Sequence, residues 1–209
     1  MMETTETHAD PRRDAPPADG RFVTRLAAVR PEPSRDGAGP TPDDLSTILA
    51  TAGTVPDHGD LRPWRFAVCR GDGRHRFAQA LVDGLHADRG PDVPEAAVAK
   101  MRAKAFAAPC SVVLISSPDP SSNVAVWEQV ASAACTGYAV VLAATGLGYG
   151  AVWKSAAVLG SEPVRTLFGL GPDESLLGWV NIGPPAPLGR KGLRATDDGE
   201  PVRVLRIED

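Results

Sequence analysis

Cysteine is scarce in this chain: Cys69, Cys110 and Cys135 are three among 209 residues. They are odd in number, far apart and set among apolar neighbours, which argues for buried reduced thiols and against a disulfide framework or a zinc site. Reduced thiols fit a cytoplasmic protein. Histidine is sparse too, and His8, His58, His75 and His86 lack the spacing of metal ligands, so no metal is expected. No serine stands in a Gly-x-Ser-x-Gly elbow, which leaves hydrolysis without support. An excess of positive charge is also missing. Lys and Arg number 22 against 26 Asp and Glu, a net charge of −4 that gives no general reason to expect nucleic acid as a partner. Residues 1–20 hold acids, Arg12, Arg13 and three prolines but no apolar run, and read as a disordered tail and not a secretory signal. The one membrane candidate, Val130 to Leu147, is uncharged but built mainly of Ala, Ser, Thr and Gly behind Glu128, so a helix buried in a soluble protein is expected and a membrane partner is not. No internal repeat is found.

What is present is enough for one sizeable core: 43% of the residues are hydrophobic. A single domain over 21–187 is expected, followed by a C-terminal extension over 188–209. Arg21 to Arg30 can form a short helix. A second helix has a marked start, with Thr41 as cap, Pro42 at the first position, Asp43 and Asp44 at the positive end of the dipole, and an apolar stripe Leu45, Ile48, Leu49, Ala52. A strand Arg65 to Arg70 follows, then a helix whose buried edge is Phe77, Leu81 and Leu85, then a looser helix Glu95 to Ala107. Cys110 to Ile115 reads as an interior strand. Asn123 to Gly146 is the longest helix, with small side chains on nearly every face, and is the candidate dimer core. Strands Tyr149 to Lys154 and Leu176 to Gly183 flank a short helix Glu162 to Phe168 that Ser161 is placed to cap and Gly169 to end. Gly146-Leu-Gly-Tyr-Gly150 follows a helix and precedes a strand, the reverse of a dinucleotide-binding loop, and reads as a helix stop. The sum is an α+β arrangement, one sheet covered by helices.

The most informative stretch is Gly53 to Cys69, where a helix end, a polar elbow and a strand adjoin. His58, Asp60 and Arg62 stand beside Pro63 and Trp64 on a backbone stiffened by Pro56 and Pro63, which suits a planar ligand with polar edges. An ordinary helix-to-strand loop with a core tryptophan is the alternative that the residues alone leave open.

Pro56-Asp-His-x-x-x-x-Pro-Trp-x-Phe66 resembles the elbow of the compact, short-chain nitroreductases, flavin-dependent NAD(P)H oxidoreductases. Counting back from Leu45, the family's Arg-Arg-Ser motif falls on Val29, Arg30 and Pro31. Trp127-Glu128-Gln129 resembles its Trp-Glu-Gln segment, and Ala151-Val-Trp-Lys-Ser155 its Gly-Ile-Trp-Arg-Ser segment. The resemblance spans about 22–187. It implies a three-layer α/β/α sandwich with a central mixed sheet, a homodimer, FMN as cofactor, NADH or NADPH as electron donor, and a nitroaromatic, quinone or similar small-molecule acceptor.

It also implies a set of cofactor-binding positions. Arg30 and Lys154 are placed to neutralise the FMN phosphate. His58 takes the place of the elbow histidine, and Thr54 that of a basic position in some relatives. Trp153 and Ser155 flank Lys154, and Arg62, where many relatives have glutamine, is placed to stabilise the anionic reduced flavin. Val29 and Pro31 depart from the motif, and Thr54 is uncharged, so up to two cationic contacts are missing unless Arg25, Arg35, Arg190 or Lys191 replaces them. No side chain is nominated as an obligatory acid or base, because the flavin carries the reaction. Two alternatives stay open on sequence: a flavin-sequestering protein without turnover, and a degenerate flavin-free interaction module.

Overall fold

A computed structural model describes residues 31–187 together with Gly20, Thr24 and Leu26. The tail 1–19, most of the expected helix Arg21 to Arg30, and the extension 188–209 lie outside the described residues.

From residue 31 onward the first helix is α1 (Pro42–Ala52), begun as its sequence dictates: Thr41 Oγ1 accepts from the Asp44 amide at 3.1 Å and donates to its carboxylate at 2.9 Å. That carboxylate also accepts from the Tyr149 hydroxyl at 2.6 Å, and the tyrosine bond, then the threonine bond, holds Asp44 below the usual carboxylate range. A polar elbow leads into β1 (Trp64–Arg70), followed by α2 (Asp72–Arg89), α3 (Glu95–Lys104), β2 (Cys110–Ser116), α4 (Val126–Gly146), β3 (Gly150–Lys154), α5 (Glu162–Phe168) and β4 (Ser175–Gly183). The expected cap Ser161 stands at the start of α5 but its side chain makes no capping bond, because its Oγ is turned into the contact with Gly84 of α2.

The strands form one sheet in the order β1-β2-β4-β3. All three ladders are antiparallel, so the parallel strand that a mixed sheet requires is not among the described residues. Side chains alternate between two layers, as the two-residue strand period demands. Cys69, Val113, Ile115 and Trp179 face α2, α3 and α5, where Phe77 meets Trp179 and Phe168 edge to face. Val112, Leu114, Ala151, Val180 and Ile182 face α1 and α4. Helices therefore cover both faces, the three-layer sandwich. α4 has the length and composition of a membrane span but packs on α1 and on β2, β3 and β4 as the central helix of its layer.

Candidate active site

The polar residues singled out in the sequence gather in two places at opposite edges of the sheet. One lies at the β3 edge. The Pro31 carbonyl accepts from the Ala151 amide at 3.1 Å, so Pro31, the last position of the expected phosphate motif, runs beside the start of β3. The approach is close enough to require glycine at the first position of the strand: a Cβ on Gly150 would stand 2.5 Å from the Glu32 carbonyl oxygen. At the other end of β3, exposed Lys154 reaches Glu32 at 3.4 Å, and exposed Ser155 follows. Pro31, Lys154 and Ser155 are thus brought to one edge, while Val29 and Arg30 lie outside the described residues.

Trp153 points inward. Its ring joins the α4-side core, and its Nε1 donates to the Leu177 carbonyl at 3.2 Å. A bulge makes this possible: β4 slips register between Leu114 and Ile115 of β2, and Gly178 at the slip adopts φ +126° with no side chain to block the indole. Trp153 therefore fixes the end of β3 from below while Lys154 faces out.

The second place is the elbow at the β1 edge. Thr54 closes the end of α1, donating its hydroxyl to the Thr51 carbonyl at 2.8 Å. His58 is exposed and pairs through Nδ1 with Glu128 Oε2 at 3.1 Å. Gly59, Asp60 and Arg62 all have left-handed backbone, at φ 81°, 52° and 48°. For Asp60 and Arg62 that costs on the order of 1–3 kcal/mol each and persists only where surroundings impose it. Asp57 imposes it here, its carboxylate accepting from the Arg62 amide at 2.6 Å. Arg62 is exposed, and its guanidinium has no partner among the described residues.

Three residues of this site were not legible as such. The sequence singled out Asp60, whereas Asp57 is the acid that folds the elbow. Glu128 and Gln129 stood in a recognised motif without a role. Their directions follow from the 100° step of a helix. Glu128 reaches the elbow, and Gln129, 1% exposed, turns inward. Its Oε1 accepts from the Asp119 amide and its Nε2 donates to the carbonyls of Asp119 and Val124, clasping the loop that packs beneath Gly59. Trp127 points out and is 71% exposed. The Trp127-Glu128-Gln129 motif is the signal in the sequence that pointed there, and it gave neither partner.

Below the elbow an ion pair ties β1 to the loop before β4. Arg65 donates Nε and Nη2 to the two oxygens of Glu174 at 2.7 and 2.6 Å, and Ser117 donates to the same carboxylate at 2.6 Å. The Arg65 bonds, assisted by Ser117 and the Gly171 amide, hold Glu174 down at about 2.

The sequence and fold both have counterparts. The family model described as "Nitroreductase family" matches residues 36–184. A protein of Escherichia coli K12 named "Putative NAD(P)H nitroreductase YdjA" is 34% identical over 165 residues, 79% of this chain and 84% of that one. The crystal structure of a nitroreductase-like family protein from Bacillus cereus superimposes with a TM-score of 0.64 over 99% of this chain and 95% of that one, at 19% identity. That of the FMN-dependent nitroreductase NfnB from Mycobacterium smegmatis in complex with NADPH does so with a TM-score of 0.57 over 79% and 87%, at 16% identity. Such a match over most of the chain makes oxidation and reduction its reaction class: the chain belongs to the nitroreductase family.

Proposed function

We propose that this protein is a cytoplasmic, homodimeric oxidoreductase that binds FMN, takes reducing equivalents from NADH or NADPH, and passes them to a nitroaromatic, quinone or similar small acceptor. When bound, FMN supplies the hydride chemistry. The residues of this chain bind it, orient it and leave one side open.

The observation that carries the reading is the separation of the two polar places. The elbow feeds β1 and Lys154 ends β3, the two outer strands of a four-stranded sheet. At about 4.8 Å per strand they stand roughly 14 Å apart across it. A second copy offers each edge a new neighbour. α4 favours such a copy, because Trp127, Ala131, Cys135 and Tyr138 are exposed along one face of it; Cys69 and Cys110 are buried as expected, but Cys135 is not.

The donor set suits a flavin phosphate and ring edge. An exposed pair such as Lys154 with Glu32 is worth about 0–1 kcal/mol, while a hydrogen bond to a charged group is worth about 1.5–3 kcal/mol. A phosphate therefore recruits Lys154 away from Glu32. In this reading Arg30 is the second phosphate cation, with Val29 and Pro31 lining that segment, and Thr54, His58 and Arg62 face the ring side. Trp153 and Ser155 hold and flank Lys154.

Anaerobic titration of the purified protein tests the reading. It predicts a yellow protein, or one that becomes yellow on addition of FMN, whose colour NADH or NADPH bleaches and a nitro compound restores. A preparation that stays colourless with FMN contradicts cofactor binding. A yellow protein that neither nicotinamide bleaches contradicts turnover.

A further inference from the structure

The Trp-Glu-Gln segment contains one residue that neither the fold nor the cofactor reading has used. Glu128 lies in the first turn of α4, where an acid is favoured by the helix dipole, and that alone would explain it. Its contact says more. Glu128 Oε2 sits 3.1 Å from His58 Nδ1, across 70 residues of sequence. The imidazole is 71% exposed and the carboxylate 35%, so the ring is not wedged in place by packing. Nε2 has no partner among the described residues, and Glu128 is the one polar contact of the ring there.

A carboxylate is an acceptor only, so a neutral imidazole bonded to it carries its proton on Nδ1. Nε2 is then an acceptor. The other tautomer presents a donor at the same point, and an imidazole without a partner favours that other form. The backbone around His58 is also held: Gly59, Asp60 and Arg62 are left-handed, Asp57 locks the Arg62 amide, and Gly59 lies against Val124 in the loop clasped by Gln129. Two neighbouring residues of α4 thus fix the elbow at two levels, Gln129 its support and Glu128 its imidazole.

We propose that Glu128 is a positioning residue of the elbow, holding His58 as its Nδ1–H tautomer so that Nε2 presents a lone pair to a hydrogen-bond donor of the bound cofactor. The identity of that ligand rests on the flavin reading; the tautomer does not. Other carboxylates near the elbow are otherwise engaged or differently placed: Asp57 is spent on the Arg62 amide, and Asp60 makes no bond to the ring.

The experiment is imidazole nitrogen–proton correlation spectroscopy on the full-length protein at pH 8, where an ordinary histidine is neutral, with the His58 signals assigned through His58→Ala. In the flavin-free protein, His58 is expected as the Nδ1–H form, and Glu128→Ala is expected to move it to the Nε2–H form. An Nε2–H signal in the unsubstituted protein, or one unchanged by Glu128→Ala, overturns the proposal whether or not flavin binds. FMN titration then gives the coupling. Glu128→Ala is expected to weaken FMN about tenfold, and in a His58→Ala background to weaken it no further. Fold-losses that multiply would leave Glu128 as a helix-start acid only and contradict the positioning role. Absence of FMN binding by the unsubstituted protein would count against the flavin reading and leave the tautomer result to decide the rest.

Discussion

The two faces of the sheet are finished differently. Beneath α2, α3 and α5 the layer closes on itself: Phe77 and Trp179 are each at most 1% exposed, and their rings meet edge to face at 5.2 Å. Beneath α1 and α4 the inner residues are as well buried, but α4 turns a second apolar face outward, with Trp127 at 71% and Tyr138 at 48% exposure. The first face is sealed; the second leaves large apolar side chains of α4 at the surface, where the proposed dimer would join. That division also separates the places where a substitution should unfold the protein from those where it should only disable it.

The largest effect should come from Trp179→Ala. Emptying that site removes the ring on which Phe77 rests, and chemical denaturation should show a loss of about 3–5 kcal/mol. A loss under about 1 kcal/mol would erase the distinction between the faces. Cys135→Glu, central on the outer face of α4, places a charge where a second copy is expected. It should leave the single chain's denaturation within about 0.5 kcal/mol while sedimentation shows a dimer turned to monomer. An unchanged dimer would move the interface elsewhere.

Glu174→Gln tests a tether at the rim of the first face, where Arg65 also donates to the Phe168 and Gly169 carbonyls at the end of α5. Losing the charged bonds of Arg65 and Ser117 should cost about 2 kcal/mol at neutral pH. The sign with pH follows from the lowered carboxyl. Its stabilisation is complete above its ordinary value near 4.5 and is lost as pH falls toward about 2. The unsubstituted protein should lose stability through that window more steeply than the variant. Parallel curves would contradict the assignment. The smallest effect is expected at Arg62→Ala, which should make the flavin potential more negative by about 30 mV, roughly 1.4 kcal/mol for two electrons.

Much of this architecture was legible because local chemistry and final packing agree. α5 runs Glu162–Phe168 as its sequence predicts, with Gly169 left-handed at its end, and Thr41 caps α1 through the bond its position requires. Where contacts between distant residues decide, the sequence was silent or misleading. Ser161 reads as a cap, but its hydroxyl is buried against Gly84 and makes no hydrogen bond among the described residues. The long helix begins at Val126 and not Asn123 because Gln129 clasps the preceding residues as loop. In the site, motif positions were readable but partners were not. Nothing near Glu128 announces His58, and nothing near His58 distinguishes Asp57, which folds the elbow, from Asp60, which does not.

The central claim is that a flavin is held by the elbow of one copy and the β3 edge of another. Mixing Lys154→Ala and His58→Ala chains and measuring FMN stoichiometry tests it most directly. Each variant alone should retain FMN about tenfold more weakly. Mixed dimers should recover one site of unsubstituted affinity per two chains, because one of their two sites then unites an intact elbow with an intact lysine. Mixed dimers with no tight site would contradict the shared site and return both groups to a single chain.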